Sequence, residues 1–190
     1  MTQLLGRVRT MSIFGFEGAC EECGFDPSSV GAAELPAAMR DLGRRYRVPL
    51  TRGLKGEDLD ALVRAHPLEG VWSALSYACH TRDVLRVFRE RTERMLDEDD
   101  PDLGWWDHDA APLEDRYDEQ DPIAVADAID ANAAAYADVL STVAVDGWDR
   151  TGVRRSGERF TVLTKAQFAL HEANHHLLDI GRVLRAARGR

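Results

Sequence analysis

Apolar residues recur at alternating intervals of three and four along residues 126–143, and this pattern constrains the fold more than any other feature of the sequence. They are Ala126, Ile129, Ala133, Tyr136, Leu140 and Val143. The spacing places them on one stripe of an α-helix, as in a helix that packs in a bundle. Asp121 followed by Pro122 predicts the helix start, because an aspartate caps free backbone N–H groups and proline suits a first turn. Gly147 is expected to end the helix.

Three other segments have helical spacing. One follows Ser28 or Ser29 and contains Pro36, which either delays its start or kinks it. The next runs over about 69–95, and the last runs from Val162 or Thr164 to about residue 185. The sequence therefore predicts an all-α four-helix bundle forming one domain over residues 1–190. Residues 1–27 are expected to form an irregular arm, and a long acidic connection is expected between helices two and three.

Composition excludes several classes of protein. The net charge of −9 argues against a nucleic-acid partner, which would favour a basic surface. No apolar run approaches the roughly 20 residues of a membrane span, and no secretory signal is recognisable. The three cysteines do not form a disulfide framework, so in a reducing cytoplasm we expect thiols or metal ligands rather than a disulfide bridge.

His171 and His175 lie four residues apart in the last predicted helix, so their side chains share one face. Two imidazoles in this arrangement can bind one metal ion, and His80 in the second helix could supply a third. Three protein ligands leave coordination positions open, as a catalytic metal requires. The alternative is that the spacing is a coincidence without a ligand. His176 is expected to point away from the pair and to be exposed.

The segment HEANH, residues 171–175, also matches the H-E-x-x-H motif of zinc peptidases. In that interpretation Glu172 would be the general base. The context argues against it, because no further ligand follows His175 and no strand is predicted to bind a substrate. A zinc hydrolase that uses Glu172 therefore remains an alternative rather than the favoured interpretation.

The segments WSALSYACHTRDVL, WWDHDA and GERFTVLTKAQFALHEANHHLLDI together resemble the DinB-like superfamily. The resemblance runs from CEECGFD to the C-terminus and is closest to actinobacterial members related to the mycothiol-dependent maleylpyruvate isomerase group. It implies a bundle of up-down-down-up order. It also implies a metal site formed by His80, His171 and His175, with zinc or nickel as the ion and water in the open positions.

The resemblance further implies a function. A bound metal would activate a low-molecular-weight thiol such as mycothiol or bacillithiol, for S-transfer or thiol-dependent isomerisation. The alternative is a non-catalytic metal-binding or stress-response protein. The expected partners are a small thiol or an electrophile, with neither nucleic acid nor membrane, and a homodimer is left open.

Several other residues are candidates for roles near the metal. Asp83 lies one turn beyond His80 and could orient its ring, or it could form a salt bridge with a neighbouring arginine. Arg154 and Arg155 could bind an anionic substrate, or they could belong to a solvated loop. Trp105 and Trp106 could cover the metal site, or they could simply pack a loop against the core.

Cys20 and Cys23 form a single C-x-x-C pair, whereas a structural zinc site needs four ligands. Cys79 or a histidine could complete such a site only if the arm folds back. We therefore expect these cysteines to have a structural or incidental role and to be dispensable for the histidine site. Cys79 is expected to be a small buried apolar residue.

Overall fold

The computed structural model of the protein describes residues 18–154 and 157–189. Within them, four long helices form the framework: α1 (Leu35–Thr51), α3 (Ala74–Asp97), α5 (Pro122–Ser141) and α6 (Val162–Ala187). The shorter helices are α2 (Leu59–Arg64) and α4 (Ala111–Glu114). Strands β1 (Thr151–Val153) and β2 (Arg159–Thr161) form an antiparallel hairpin before α6, with Gly152 paired to Phe160.

Side-chain caps explain where the long helices begin. Asp121 accepts a hydrogen bond from the backbone N–H of Ala124, as the sequence predicted. Ser73 caps α3 in the same way. At the start of α6, Thr161 and Thr164 each accept a hydrogen bond from the other's backbone N–H, which satisfies two donors at once.

The long helices form a bundle in which α1 packs along α5, and α3 packs against both α5 and α6. The predicted seam of α5 is buried from Ala126 to Leu140, where it meets the apolar faces of the other helices. Tyr46 of α1 links the helices by polar contacts, because its hydroxyl lies 2.7 Å from the Ala173 carbonyl oxygen and 2.9 Å from the Thr81 hydroxyl. The predicted all-α four-helix bundle is confirmed.

Several helix bounds differ from those expected. Helix α1 begins at Leu35, because residues 27–29 form a separate 3-10 turn and Pro36 occupies the first helical turn. Helix α5 ends at Ser141 rather than near Gly147, which lies in another 3-10 turn. The acidic connection is also more ordered than predicted. It contains α4 and a turn at 117–119, where the Asp118 carboxylate accepts hydrogen bonds from two α3 serines.

The part of the arm that the structure describes lies against α6. Just after the arm, the Val30 carbonyl oxygen accepts a hydrogen bond of 2.9 Å from Gln167 of α6. Farther along the helix, Arg182 and Glu22 approach to 3.2 Å. The other part of the predicted arm, residues 1–17, lies outside the described residues. None of the described helices combines the length and the apolar character that a membrane span requires.

Lys165 of α6 is fully buried between aromatic rings. Its amino nitrogen lies 3.4 Å from the ring centroid of Phe88 and 4.5 Å from that of Phe160. Among the described residues this nitrogen has no hydrogen-bond partner. Burial and then the nearby Arg91 and Arg154 hold the Lys165 pKa well below its usual value. In the described part of the chain, the Lys165 amine is therefore buried without a hydrogen bond that would replace its lost hydration.

We expect Lys165→Met to stabilise the protein by about 1–3 kcal/mol at neutral pH, because methionine fills the space without burying an unsatisfied amine. In the wild type, Lys165 binds its proton more weakly in the folded chain than in the unfolded chain. The free energy of unfolding therefore rises with pH. The advantage of the variant should therefore shrink as the pH approaches about 10.4, the usual lysine pKa. Urea unfolding near neutral pH and near pH 9.5 checks this, with exposed Lys55→Met as the control. An unchanged or lower stability of the Lys165 variant would contradict it.

Candidate metal centre

The segment HEANHH of α6 presents metal-binding side chains on two adjacent helix faces. His171 and His175 form one pair four residues apart, and Glu172 and His176 form another. Because the pairs are offset by one residue, they are rotated by about 100° around the helix. One pair faces the N-terminal arm and the other faces α3.

Each pair belongs to a separate group of candidate ligands. The first, which we call the arm cluster, consists of Cys20, Cys23, His171 and His175. The second, the bundle cluster, consists of His80, Glu172 and His176. Within each cluster, one ligand atom from every residue lies within 4.8 Å of the others.

In the bundle cluster, His80 projects from α3 towards α6. Its ring centroid lies 5.0 Å from that of His176, and His176 lies 3.8 Å from the Glu172 carboxylate. His176 Nδ1 also lies 3.1 Å from Asp179, a carboxylate that can orient the ring. The Nδ1 atom of His80 is buried and has no hydrogen-bond partner among the described residues. Two imidazoles and a carboxylate fit a divalent metal ion, and the buried His80 nitrogen without a hydrogen-bond partner is consistent with such a ligand.

The protonation states in the bundle cluster favour metal binding. Burial, and then the neighbouring His176 and His108, lower the pKa of His80 to about 4, so its ring is neutral at physiological pH. Burial raises the pKa of Glu172, but the surrounding histidines outweigh this effect and hold it below its usual value. Neutral imidazole and ionised carboxylate are the forms that bind metal.

A cavity of about 110 Å³ lies beside the bundle cluster, and both His80 and Glu172 line it. Trp106 stacks on His80 with ring centroids 5.5 Å apart, and the half-exposed Trp105 lies at the rim. Arg91 and Arg154 supply positive charge to the wall. The cavity therefore combines candidate metal ligands, aromatic walls and cationic groups.

In the arm cluster, Cys20 Sγ lies 3.7 Å from His175 Nδ1, and the rings of His171 and His175 are 5.6 Å apart. Burial raises the Cys20 pKa, but backbone N–H groups and the two histidines outweigh it, so the pKa falls to about 6. Burial raises the pKa of Cys23. Cys20, Cys23 and Cys79 are free thiols, and Cys79 is fully buried.

The structure groups the predicted ligands differently from the sequence analysis. His171 and His175 lie with the two cysteines, whereas His80 lies with Glu172 and His176. The expectation of an exposed His176 is wrong, because only 15% of its side chain is exposed. Sequence reasoning missed Glu172 and His176 as a ligand pair, although their spacing of four residues was a readable signal.

The other predicted site residues also have defined positions. Asp83 lies 2.8 Å from Arg82 and accepts a hydrogen bond of 2.7 Å from Tyr117, so the salt-bridge alternative describes it. Trp105, Trp106 and Arg154 all line the cavity. Arg155 lies outside the described residues.

Comparison with known proteins agrees with this architecture. The chain superposes on YfiT from Bacillus subtilis with a TM-score of 0.72 and 15% sequence identity, over 81% of this chain and 86% of the other. That protein is described as a probable metal-dependent hydrolase with an unusual four-helix bundle topology. No curated protein sequence matches the chain significantly. The sequence model of the DinB superfamily matches residues 44–180, which span all four long helices in whole or in part. The chain therefore belongs to the DinB superfamily.

Proposed function

We propose that this protein is a metal-dependent enzyme that uses a low-molecular-weight thiol, with a divalent ion held by His80, Glu172 and His176. The observation that carries the proposal is the position of these three side chains beside a cavity that is large enough for a small reactive group. Three protein ligands would leave room for a thiol or a water on the ion. Zinc and nickel are the candidate ions, because both accept imidazole ligands.

When bound at this position, a divalent ion would lower the pKa of a thiol or water and would polarise a carbonyl group. The residues of the chain supply the rest of the site. Asp179 orients His176 from outside the ligand group. Trp106 covers one side of His80 and limits the access of water. Mycothiol or bacillithiol would then be the cosubstrate, and a cytoplasmic location would supply it.

The charge of the cavity indicates the class of the second substrate. Arg91 and Arg154 both line it, and an arginine fork is well suited to carboxylate or phosphate. Arg91 is also tied to the loop by a hydrogen bond of 3.2 Å to the Gly104 carbonyl oxygen, which limits its movement. We therefore propose an anionic electrophile. The thiolate sulfur either adds to it or forms a bond to it while a leaving group departs from the electrophile.

A second candidate function is hydrolysis, with water in place of the thiol. It is favoured by the description of the Bacillus subtilis protein of the same fold. In this structure Glu172 belongs to the candidate ligand group, so a hydrolytic mechanism would not leave it free as the general base. The third candidate function is metal binding without catalysis, as in a stress-response or sensor protein.

The test uses zinc-loaded and nickel-loaded protein with a panel of anionic electrophiles, each measured with and without a small thiol. We expect consumption of at least one electrophile that requires both metal and thiol. Arg91→Met should raise KM more than it lowers kcat, because the arginine binds substrate away from the metal, and Arg52→Met on the exposed surface is the control. Hydrolysis without thiol would favour the second candidate, and binding of metal without any turnover would contradict an enzyme.

A further inference from the structure

We propose that Cys20, Cys23, His171 and His175 bind a structural zinc ion that fastens the N-terminal arm to α6. This site is separate from the bundle cluster and does not depend on the function proposed for it. Its four candidate ligands come from two segments that are far apart in the chain. Cys20 and His175, which are in contact, are separated by 155 positions.

The distances in the arm cluster match those of a tetrahedral zinc site. Zinc lies about 2.3 Å from a thiolate and about 2.0–2.1 Å from an imidazole nitrogen, which places neighbouring ligand atoms roughly 3.6 Å apart. The Cys20 Sγ to His175 Nδ1 distance is 3.7 Å. All four ligand atoms lie within 4.8 Å of one another, so small rotations of the side chains suffice to complete the tetrahedron.

The turn that carries the cysteines is shaped to hold two thiolates. The Gly24 N–H donates a hydrogen bond of 2.8 Å to the Cys20 carbonyl oxygen, and the Cys20 N–H donates one of 3.0 Å to the Phe25 carbonyl oxygen. Gly24 has a φ of 72°, a conformation that glycine adopts without strain. These two hydrogen bonds close the turn, and the closed turn holds Cys20 and Cys23 close to His171 and His175.

The donor types distinguish this site from the bundle cluster. Two thiolates and two imidazoles are a Cys₂His₂ set, which selects zinc and leaves no coordination position open. Among the residues that the structure describes, the bundle cluster has three candidate ligands and none of them is a sulfur. Because four protein ligands close the arm site, its ion would have a structural role rather than a catalytic one.

The position of the arm cluster explains what such an ion would stabilise. Without a metal, the exposed pair of Arg182 with Glu22 holds the described part of the arm to α6, and the hydrogen bond from Gln167 to Val30 holds the residues that follow the arm. Exposed ion pairs contribute about 0–1 kcal/mol, so they hold a segment weakly. His171 Nδ1 also lies 3.7 Å from the Glu172 carboxylate, which places the arm site directly beside the bundle cluster.

The test is a titration of reduced, metal-free, full-length protein with cobalt, which replaces zinc and reports its ligands by absorption. We expect a thiolate-to-cobalt charge-transfer band and the intense visible bands of a tetrahedral site, and zinc should displace them. The charge-transfer band should reach the intensity of one site with two thiolates per chain, whether or not a second cobalt ion binds the bundle cluster. The double variant Cys20→Ser/Cys23→Ser should lose the charge-transfer band. Its zinc affinity should fall by about 100-fold or more, because two of the four ligands are removed.

Two matched variants make the result specific. Cys79→Ser removes the buried thiol outside the cluster and should retain the band, and His80→Ala should retain it as well because only the bundle cluster is changed. Saturation with zinc should also protect Cys20 and Cys23 from alkylation and protect the arm from proteolysis, which can be measured on the wild type alone. Absence of the band in reduced wild-type protein, or its persistence in the double cysteine variant, would overturn the proposal.

Discussion

Replacing His176 with alanine is expected to remove the metal ion of the bundle cluster and to abolish metal-dependent activity, while the ion of the arm cluster is retained. The variant removes one of three candidate ligands and leaves His80 and Glu172. Substitution of groups that only orient metal ligands costs 10–100-fold in metal affinity, so loss of a ligand should cost more than about 100-fold. Elemental analysis should show a decrease from two ions per chain to one.

A second substitution on the same helix separates the two groupings of histidines. His171→Ala should also remove one ion, but it should be the ion that gives the sulfur charge-transfer band with cobalt. His66→Ala is the control, because His66 lies in neither cluster and contacts Asp118 at 3.0 Å. If His176→Ala kept both ions, or if His171→Ala removed the ion without sulfur ligands, the site predicted from the sequence, His80 with His171 and His175, would be favoured instead.

Gly43→Leu is expected to destabilise the fold by about 3 kcal/mol or more, because α5 approaches α1 closely at this glycine. A Cβ atom at position 43 would lie 2.9 Å from the Cα atom of Asp130 and would also overlap its side chain. The backbone of α5 cannot move away without separating the two helices. The higher helix propensity of leucine offsets only about 1 kcal/mol of this cost.

Thermal unfolding measures the effect, and for a chain of this size we expect a decrease in Tm of roughly 6–12 °C. Gly181→Leu in α6 is the matched control, because a Cβ atom there would have only the end of the Arg185 side chain near it, at 3.6 Å. That variant should be unchanged or slightly stabilised through helix propensity. Equal stability of the Gly43 and Gly181 variants would show that the close approach of α1 and α5 does not limit the fold.

In the two proposals, α6 supplies ligands to two metal sites. One face would anchor the arm through a closed site, and the adjacent face would supply two ligands to a site beside the cavity. Glu172 lies 3.7 Å from His171 of the arm cluster and 3.8 Å from His176 of the bundle cluster, so the two sites are adjacent. Removal of the arm ion is therefore expected to affect the bundle cluster through the position of Glu172, and the affinity of that cluster in the double cysteine variant would measure the coupling.

Local features of the sequence determined the helices and several of their ends. The seam of α5 and its start at Pro122 follow from periodicity and from the cap at Asp121, both of which involve residues within one helix. The same local reasoning identified α3 and α6. The end of α5 was misplaced, because Gly147 lies in a separate turn whose position depends on packing against the rest of the bundle.

The assignment of ligands to sites required the tertiary structure. A helix that carries His171, Glu172, His175 and His176 has two ligand pairs offset by about 100°, and nothing within the helix decides which pair faces α3. That choice depends on the rotation of α6, which is set by packing of its apolar residues against α3. The cysteines of the arm join His171 and His175 only because the chain folds back across some 155 positions, a long-range contact that local spacing does not encode.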